Sequence, residues 1–152
     1  MLLPKSTLIR LLRFYPPFFG AGIRVTHVAK DFRAIDVQMR LRWWNRNYVG
    51  TQFGGSLYSM VDPFFMLMFI ENLGREYVVW DKAAAIRFKR PGRGTVFARF
   101  RLSEEELQRV RQDVERDGRA QPTFSVSVVD EEGHVVAEVD KVLSVKKKAA
   151  AG

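Results

Sequence analysis

The residues best suited to chemistry lie between positions 47 and 62, where a glycine pair precedes an apolar segment that carries a carboxylate. Gly54 and Gly55 form the pair, and glycine there lets the backbone approach a ligand without obstruction by a side chain. If a helix begins at this point, its first amide N–H groups have no intrahelical partner and lie at the positive end of the helix dipole. Such donors polarise a carbonyl group or stabilise an oxyanion.

Asp62 follows Gly55 by seven residues and is the candidate general base. Its neighbours in sequence are apolar, and apolar surroundings favour the protonated form of a carboxyl group, which suits a base that must take up a proton. These neighbours are Met60, Val61, Phe64 and Phe65. A structural alternative stays open, in which the glycines make a turn and Asp62 caps a helix that begins at Pro63.

Other reactive side chains are few. The chain has no cysteine, which excludes disulfides, thiol nucleophiles, iron–sulfur clusters and cysteine-ligated zinc. His27 and His134 have no partner at ligand spacing, so we predict no metal site. Ser56 and Ser59 follow the glycines, but no Gly-x-Ser-x-Gly sequence supports a serine nucleophile.

The length of 152 residues predicts one domain over residues 1–145, followed by a flexible basic tail at residues 146–152. The net charge of +8 favours a polyanionic partner, although surplus basic residues also serve solubility alone. The longest apolar run, residues 63–70, is shorter than the ~20 residues that span a bilayer. Because no secretory signal is recognisable either, we expect a cytoplasmic protein.

Hydrophobic periodicity predicts the elements that must position these residues. In the first half we expect a helix over residues 6–14 that ends at Pro16 and Pro17, strands over residues 23–28 and 33–43, a loop over residues 45–55 and a buried helix over residues 56–73. Pro63 is either the first residue of a helix or a kink within a longer one. The N-terminal helix covers a sheet edge or rests on a membrane.

The second half of the sequence predicts a series of strands and one surface helix. The strands cover residues 77–80, 84–89, 96–102 and a final hairpin of residues 124–128 and 134–145. Ser103 and Glu106 form a capping box at the start of the surface helix, and Gly118 ends it. The result is an α+β domain in which a curled antiparallel sheet of about six strands wraps around one central apolar helix, the hot-dog fold.

The segment from Asn47 to Asp62 resembles the motif of hot-dog acyl-CoA thioesterases of the phenylacetyl-CoA type, Asn-x-x-Gly-x-x-His-Gly-Gly with an aspartate seven residues after the second glycine. Over nearly its whole length the chain is more similar to a hot-dog family called domain of unknown function 4442. The phrases that carry this resemblance are residues 16–23, residues 50–58, and residues 81–82 with residues 87–92.

The resemblance implies hydrolysis of a thioester between coenzyme A and a fatty or aromatic acyl group, with no cofactor besides the coenzyme A of the substrate. It implies that Gly55 polarises the thioester carbonyl, that Asp62 activates water or attacks directly, and that Asn47 positions the water or the carbonyl. It also implies a homodimer or a dimer of dimers in which Asp62 of one subunit faces Gly55 of the other.

The chain departs from the thioesterase motif at Phe53, which stands where that family has histidine, and at Pro63, which directly follows the aspartate. The residues of this segment expected to bind substrate are Gln52, Phe53, Gly54, Ser56 and Ser59. The aromatic and methionine side chains of residues 64–69 either line an acyl tunnel or pack in the core.

The basic residues of one strand and its turn fit the phosphates of coenzyme A, which charge-assisted hydrogen bonds could hold. They are Arg87, Lys89, Arg90 and Arg93. They could equally form an exposed strand face. No nucleic-acid partner is expected, because the basic residues do not alternate with solvent-facing aromatic ones.

Two functions of another class stay open beside the thioesterase. A non-catalytic protein that binds acyl-CoA or acyl-lipid would keep the fold and lose the chemistry, and Phe53 and Pro63 favour it. A subunit that contacts a membrane or a protein partner through its N-terminal helix is the other.

Overall fold

The structure, a computed structural model, describes residues 7, 11, 12 and 14–149 of the chain. Its helices are α1 (Pro16–Ala21), α2 (Gly54–Ser59), α3 (Phe64–Leu73) and α4 (Glu104–Asp117). Its strands are β1 (Ile23–Val28), β2 (Ala34–Arg40), β3 (Tyr77–Phe88), β4 (Thr95–Arg101), β5 (Arg119–Ala120), β6 (Thr123–Asp130) and β7 (Val135–Lys147). The predicted α+β class is confirmed.

The strands form one antiparallel sheet in the order β1-β2-β4-β6-β7-β3, and the short strand β5 pairs with β7 off this path. The predicted hairpin is β6 and β7, in which Val126 pairs with Val139. β3 lies at one end of the sheet and pairs only with β7 among the described strands. Its outer edge therefore carries backbone N–H and C=O groups without a strand partner in this part of the chain.

The core lies between the concave face of the sheet and α3. The ring centroid of Phe64 is 4.9 Å from that of Phe100 on β4, and the Phe65 centroid is 4.9 Å from that of Phe124 on β6. Met68 and Phe69 are fully buried as well. Of the two roles open for these side chains, core packing is the one observed.

The helix predicted over residues 56–73 is two helices, and its start lies two residues earlier than expected. α2 ends at Ser59, a turn follows, and α3 begins after Pro63. Pro63 has no N–H group to continue the α2 hydrogen-bond pattern, which is why the helix breaks there. Asp62 does not cap α3, because no side chain accepts a cap hydrogen bond at that end. That structural alternative is wrong.

Other boundaries also differ from the predictions. β2 stops at Arg40 rather than at residue 43, because the Asn45 side chain accepts from the Arg42 amide and turns the chain. The strands predicted over residues 77–80 and 84–89 are the single strand β3, with a bulge between Asp81 and Ala83. The bulge interrupts the alternation on which the two-strand prediction rested.

The N-terminal helix predicted over residues 6–14 falls partly outside the described residues. Its described positions, 7, 11, 12 and 14, are helical, and Leu12 is buried. Pro16 and Pro17 do not only end the preceding helix but also begin α1, a helix that the sequence did not predict. Proline is tolerated there because the first turn of a helix needs no N–H donor. No helix in the described part of the chain is both long and apolar enough to cross a membrane.

The predicted ends of the surface helix α4 are confirmed. Ser103 and Glu106 make the capping box, and Gly118 adopts the left-handed conformation that ends the helix. β7 continues to Lys147, where it pairs with Tyr77, so strand structure extends into the segment predicted as a tail. Residues 150–152 of that segment lie outside the described part.

Candidate functional site

The start of α2 offers two unpaired amide donors. The Ser56 and Leu57 amides both donate to the Phe53 carbonyl, so the amides of Gly54 and Gly55 precede the first intrahelical bonds. Among the described residues neither glycine amide has a hydrogen-bond acceptor. These are the two N–H groups for which the sequence predicts a role as oxyanion donors. α2 has only six residues, so its dipole is smaller than that of the long helix expected.

Asn47 and Gln52 organise the loop before α2. The Asn47 Oδ1 atom accepts from the amides of Val49 and Thr51, and its Nδ2 group donates to the Thr51 hydroxyl at 2.9 Å. Gln52 is buried, and its Nε2 group donates to the carbonyls of Met39 and Gly94. Asn47 therefore closes the loop on itself and Gln52 holds the loop against the sheet, and the Gln52 Oε1 atom is buried without a partner among the described residues.

Two clefts flank the start of α2, and each is lined by some of the predicted substrate-binding residues, whereas Arg87 and Arg93 line neither. The α1 cleft, of about 500 Å³, is lined by Gly55, Ser56, Ser59, Phe53, Trp44 and Pro17. The β3 cleft, of about 400 Å³, is lined by Gly54, Gln52, Asn47, Phe88, Lys89 and Arg90. Asp62 lines neither cleft within a single chain.

Phe53 and Phe88 explain the two glycines. A Cβ atom on Gly54 would lie 3.1 Å from the Phe88 ring, and one on Gly55 would lie 2.7 Å from the Phe53 ring. The Phe53 ring, more than half exposed, therefore covers the start of α2 on the side of the α1 cleft. It makes no side-chain cap hydrogen bond there, which confirms that the chain lacks the polar contact a histidine could make.

Asp62 belongs to an ionic cluster rather than to an apolar setting, so that sequence expectation is wrong. Its Oδ1 atom accepts from the Tyr58 hydroxyl at 2.8 Å and from the Lys141 ammonium group at 2.9 Å. Lys141 also donates to Tyr58 at 3.1 Å and forms an ion pair with the Asp81 Oδ2 atom at 3.0 Å. The Asp62 side chain is 49% exposed, whereas Lys141 is completely buried.

Burial and charge act against each other in this cluster. Burial alone would lower the pKa of Lys141, but its bonds to Tyr58, Asp62 and Asp81 outweigh that effect and hold the pKa above its usual range. Burial raises the pKa of Asp81, against the opposing effect of the Lys141 ammonium group. Burial also raises the pKa of the Tyr58 hydroxyl.

The four basic residues predicted to bind phosphate are not equivalent. Arg87 is bound to Asp140 at 2.7 Å and to Glu138, and Lys89 is 3.2 Å from Glu138. Arg90 and Arg93 are exposed and have no side-chain partner among the described residues. Arg90 lines the β3 cleft, so it is the basic side chain best placed for an anionic group there.

A possible metal-ligand group lies away from this region, in the turn between β6 and β7. His134 lies 3.4 Å from Asp130 and 3.2 Å from Glu132. The expectation that it has no partner at ligand spacing is therefore wrong. The turn itself uses these groups, because the Asp130 Oδ1 atom accepts from the amides of Glu132 and His134. His134 and Glu132 are exposed.

The family described as domain of unknown function (DUF4442) matches residues 6–145, which is most of the chain. The chain belongs to this family. No curated protein matches it in sequence.

Solved structures that resemble it show the fold of this DUF4442 member. A protein of unknown function from Pseudomonas aeruginosa, described as a probable thioesterase, has a TM-score of 0.85 and 21% identity, over 97% of this chain and 99% of that one. A thioesterase from Haemophilus influenzae has a TM-score of 0.68 and 16% identity, over 97% of this chain and 93% of that one. A thioesterase variant from P. aeruginosa has a TM-score of 0.69 and 11% identity, over 97% of this chain and 97% of that one. The predicted hot-dog fold is confirmed.

Sequence reasoning found the glycines and Asp62 but missed Lys141 and Asp81. A signal for Lys141 exists, since Val139, Lys141, Leu143 and Val145 share the buried face of β7 and a lysine interrupts this apolar stripe. For Asp81 no comparable signal exists, because the β3 bulge that orients it cannot be read from the pattern.

We predict that Asp81→Asn changes how stability depends on pH. The raised pKa of Asp81 means that the folded chain binds this proton more tightly than the unfolded chain does. The stability this group provides is therefore full at low pH and is lost as pH rises through the raised pKa. Urea unfolding between about pH 3 and about pH 6 should show the variant gaining stability relative to wild type as pH rises.

Asp117→Asn is the control with the opposite sign. The hydrogen bond from Arg116 lowers the pKa of Asp117, so this carboxylate stabilises the fold above its unfolded pKa and loses that effect as pH falls. The Asp117 variant should therefore lose stability relative to wild type as pH rises. Equal slopes for the two variants would contradict the assignment of Asp81.

Proposed function

We propose that the protein hydrolyses the thioester bond of an acyl-CoA with a fatty or aromatic acyl group. The observation that carries the proposal is the state of the Asp62 carboxylate. Its Oδ1 atom is held by two donors, while its Oδ2 atom has no partner among the described residues and belongs to a half-exposed side chain. A carboxylate fixed in this way can hold and deprotonate a water molecule.

The reaction would proceed by addition and elimination. Asp62 takes a proton from water as the water oxygen bonds to the thioester carbon, and the amides of Gly54 and Gly55 stabilise the oxyanion that forms. The carbon–sulfur bond then breaks, and the thiolate of coenzyme A accepts the proton from Asp62. The products are the free acid and the thiol. The thioesterase names of the structural relatives support this reaction class.

The proposal includes a homodimer, because the two halves of the site lie apart in one chain. Gly55 lies in the first turn of α2 and Asp62 lies beyond its last residue, and a helix of six residues is roughly 9 Å long. The unpaired edge of β3 supports a second copy as the partner, since its residues Ala83, Ala84 and Ala85 are exposed and small. Pairing of two such edges joins two sheets by a two-fold axis.

A non-catalytic acyl-CoA-binding protein is the second candidate. The observation that favours it is the Phe53 ring, which covers Gly55 where the related motif has a polar side chain. Binding of acyl-CoA without release of thiol would select this function over hydrolysis.

Asp62→Asn should abolish hydrolysis. We expect thiol release from the best of a panel of short, long and aromatic acyl-CoAs to fall by about 10²- to 10⁴-fold, because the amide cannot take up the proton. A thiol-reactive dye measures the rate. Asp113→Asn, on α4, is the matched control and should keep the wild-type rate. Full activity in the Asp62 variant would exclude this residue as the base.

Mixing two inactive chains tests the shared site. Asp62→Asn and Gly55→Val should each be inactive, but a heterodimer of the two contains one site with both native residues. Co-expression with two different affinity tags should restore about half of the wild-type activity per dimer, since one of the two symmetric sites is intact. If each chain holds a complete site, the mixed dimer stays inactive.

Arg90 and Arg87 should differ in their effect on substrate binding. Arg90→Gln should raise KM for acyl-CoA by about 10-fold, because it removes a free guanidinium group that lines the β3 cleft. Arg87→Gln should change KM little, since Arg87 is already bound to Asp140. Steady-state kinetics with both variants checks this, and a larger effect at Arg87 would contradict it.

A further inference from the structure

The inner face of β7 carries one charged residue in an otherwise apolar row. Val139, Leu143 and Val145 are fully buried on this face, and Lys141 lies between them with no exposed surface. An isolated ammonium group at such a position costs several kcal/mol of solvation and would tend to lose its proton. The chain retains the charge there because acceptors surround it.

Three elements supply one acceptor each to the Lys141 ammonium group. Tyr58 comes from α2, Asp62 from the turn after it, and Asp81 from the bulge of β3. The three Nζ distances lie between 2.9 and 3.1 Å, so each of the three N–H donors has a partner. The side chain is consequently fixed, and it transmits that rigidity to Asp62.

The Asp62 carboxylate is held from one side only. Tyr58 and Lys141 both donate to Oδ1, which orients the carboxylate and leaves Oδ2 without a partner among the described residues. Asn47, the residue that the related motif would use near the reaction, is bound within its own loop and supplies no such support. Orientation of the base therefore falls to residues outside that motif.

Asp81 balances the charge that this arrangement brings to the base. Without Asp81, the Lys141 ammonium group would place an unbalanced positive charge in contact with the proposed base. Asp81 pairs with the same ammonium group at 3.0 Å, so the pair Lys141–Asp81 is close to neutral as seen from Asp62. The second oxygen of Asp81 is buried without a partner among the described residues, so the chain holds this carboxylate beside Lys141 at a cost in stability.

We propose that Lys141 and Asp81 are positioning residues for Asp62: Lys141 with Tyr58 fixes the orientation of the carboxylate, and Asp81 preserves its ability to accept a proton. This inference rests on the proposed function, in which Asp62 is the base. The titratable groups that face Asp62 are Tyr58 from α2 and Lys141 from β7, with Asp81 from β3 acting through Lys141.

The test is the titration midpoint of the Asp62 carboxyl group, followed by carbon-13 NMR in the intact chain. Lys141→Met should move the midpoint upward by about 1 to 3 pH units, because the cation is lost. Asp81→Asn should move it downward, because the balancing anion is lost. Lys146→Met, an exposed lysine on the same strand, should leave it in place.

The pH–rate profile of thioester hydrolysis is the second readout. Its acidic limb should shift in the same directions as the NMR midpoint in the two charge variants. Lys141→Arg keeps the charge but changes the donor geometry, so we expect an unchanged midpoint and a kcat at least about tenfold lower with KM retained. Lys141→Arg keeps the buried positive charge, and Asp81→Asn keeps the size of the side chain. These two variants therefore test the proposal even if Lys141→Met does not fold.

The outcomes separate the two proposals. Opposite shifts of the NMR midpoint support the positioning pair whether or not the wild type hydrolyses acyl-CoA, and a wild type that releases no thiol overturns only the proposed function. Shifts in the same direction, or midpoints that stay at the wild-type value in both charge variants, overturn the positioning pair. A Lys141→Arg variant with wild-type kcat would also overturn the positioning pair.

Discussion

The arrangement of the site depends on the need to satisfy one buried ammonium group. The other buried residues on this face of β7 next to Lys141 are apolar, so Lys141 can remain charged only if its three N–H donors find acceptors on other elements. The acceptors come from the turn after α2 and from β3 as well as from α2 itself. This single group on β7 therefore contacts the short helix, the turn after it and the edge strand β3.

The break between α2 and α3 serves this arrangement. The Asp62 amide still donates to the Tyr58 carbonyl, which keeps these two residues one helical turn apart, and Pro63, which has no N–H group, ends the pattern directly after them. Met60 and Val61 are buried in the core, while the Tyr58 and Asp62 side chains both contact Lys141. α3 then supplies the apolar surface around which the sheet curls, with Phe64, Phe65 and Phe69 against β4 and β6.

Membership of the DUF4442 family and likeness to thioesterase structures at 11–21% identity establish the fold, whereas function depends on the site. In this chain the donors at the start of α2 are backbone amides, which any side chain at position 53 leaves in place. The carboxylate is supported by a lysine of the last strand. The proposed chemistry thus rests on the helix start and on the ionic cluster, and Phe53, which stands where the related motif has histidine, alters the cover of the site rather than either part.

The sequence by itself determined the elements whose signals are local: the capping box of α4, the alternation of β2 and β4, the hairpin of β6 and β7, and the apolar segment that becomes α3. It also identified Gly54, Gly55 and Asp62, because a glycine pair at a fixed distance before a carboxylate is visible along the chain. Only the tertiary structure decided what surrounds Asp62. The lysine that holds it is 79 residues away in sequence, and Asp81 reaches that lysine through a bulge. Apolar neighbours in sequence suggested an apolar setting, but the electrostatic field at a side chain is set by the groups nearest in space, and those come from other strands.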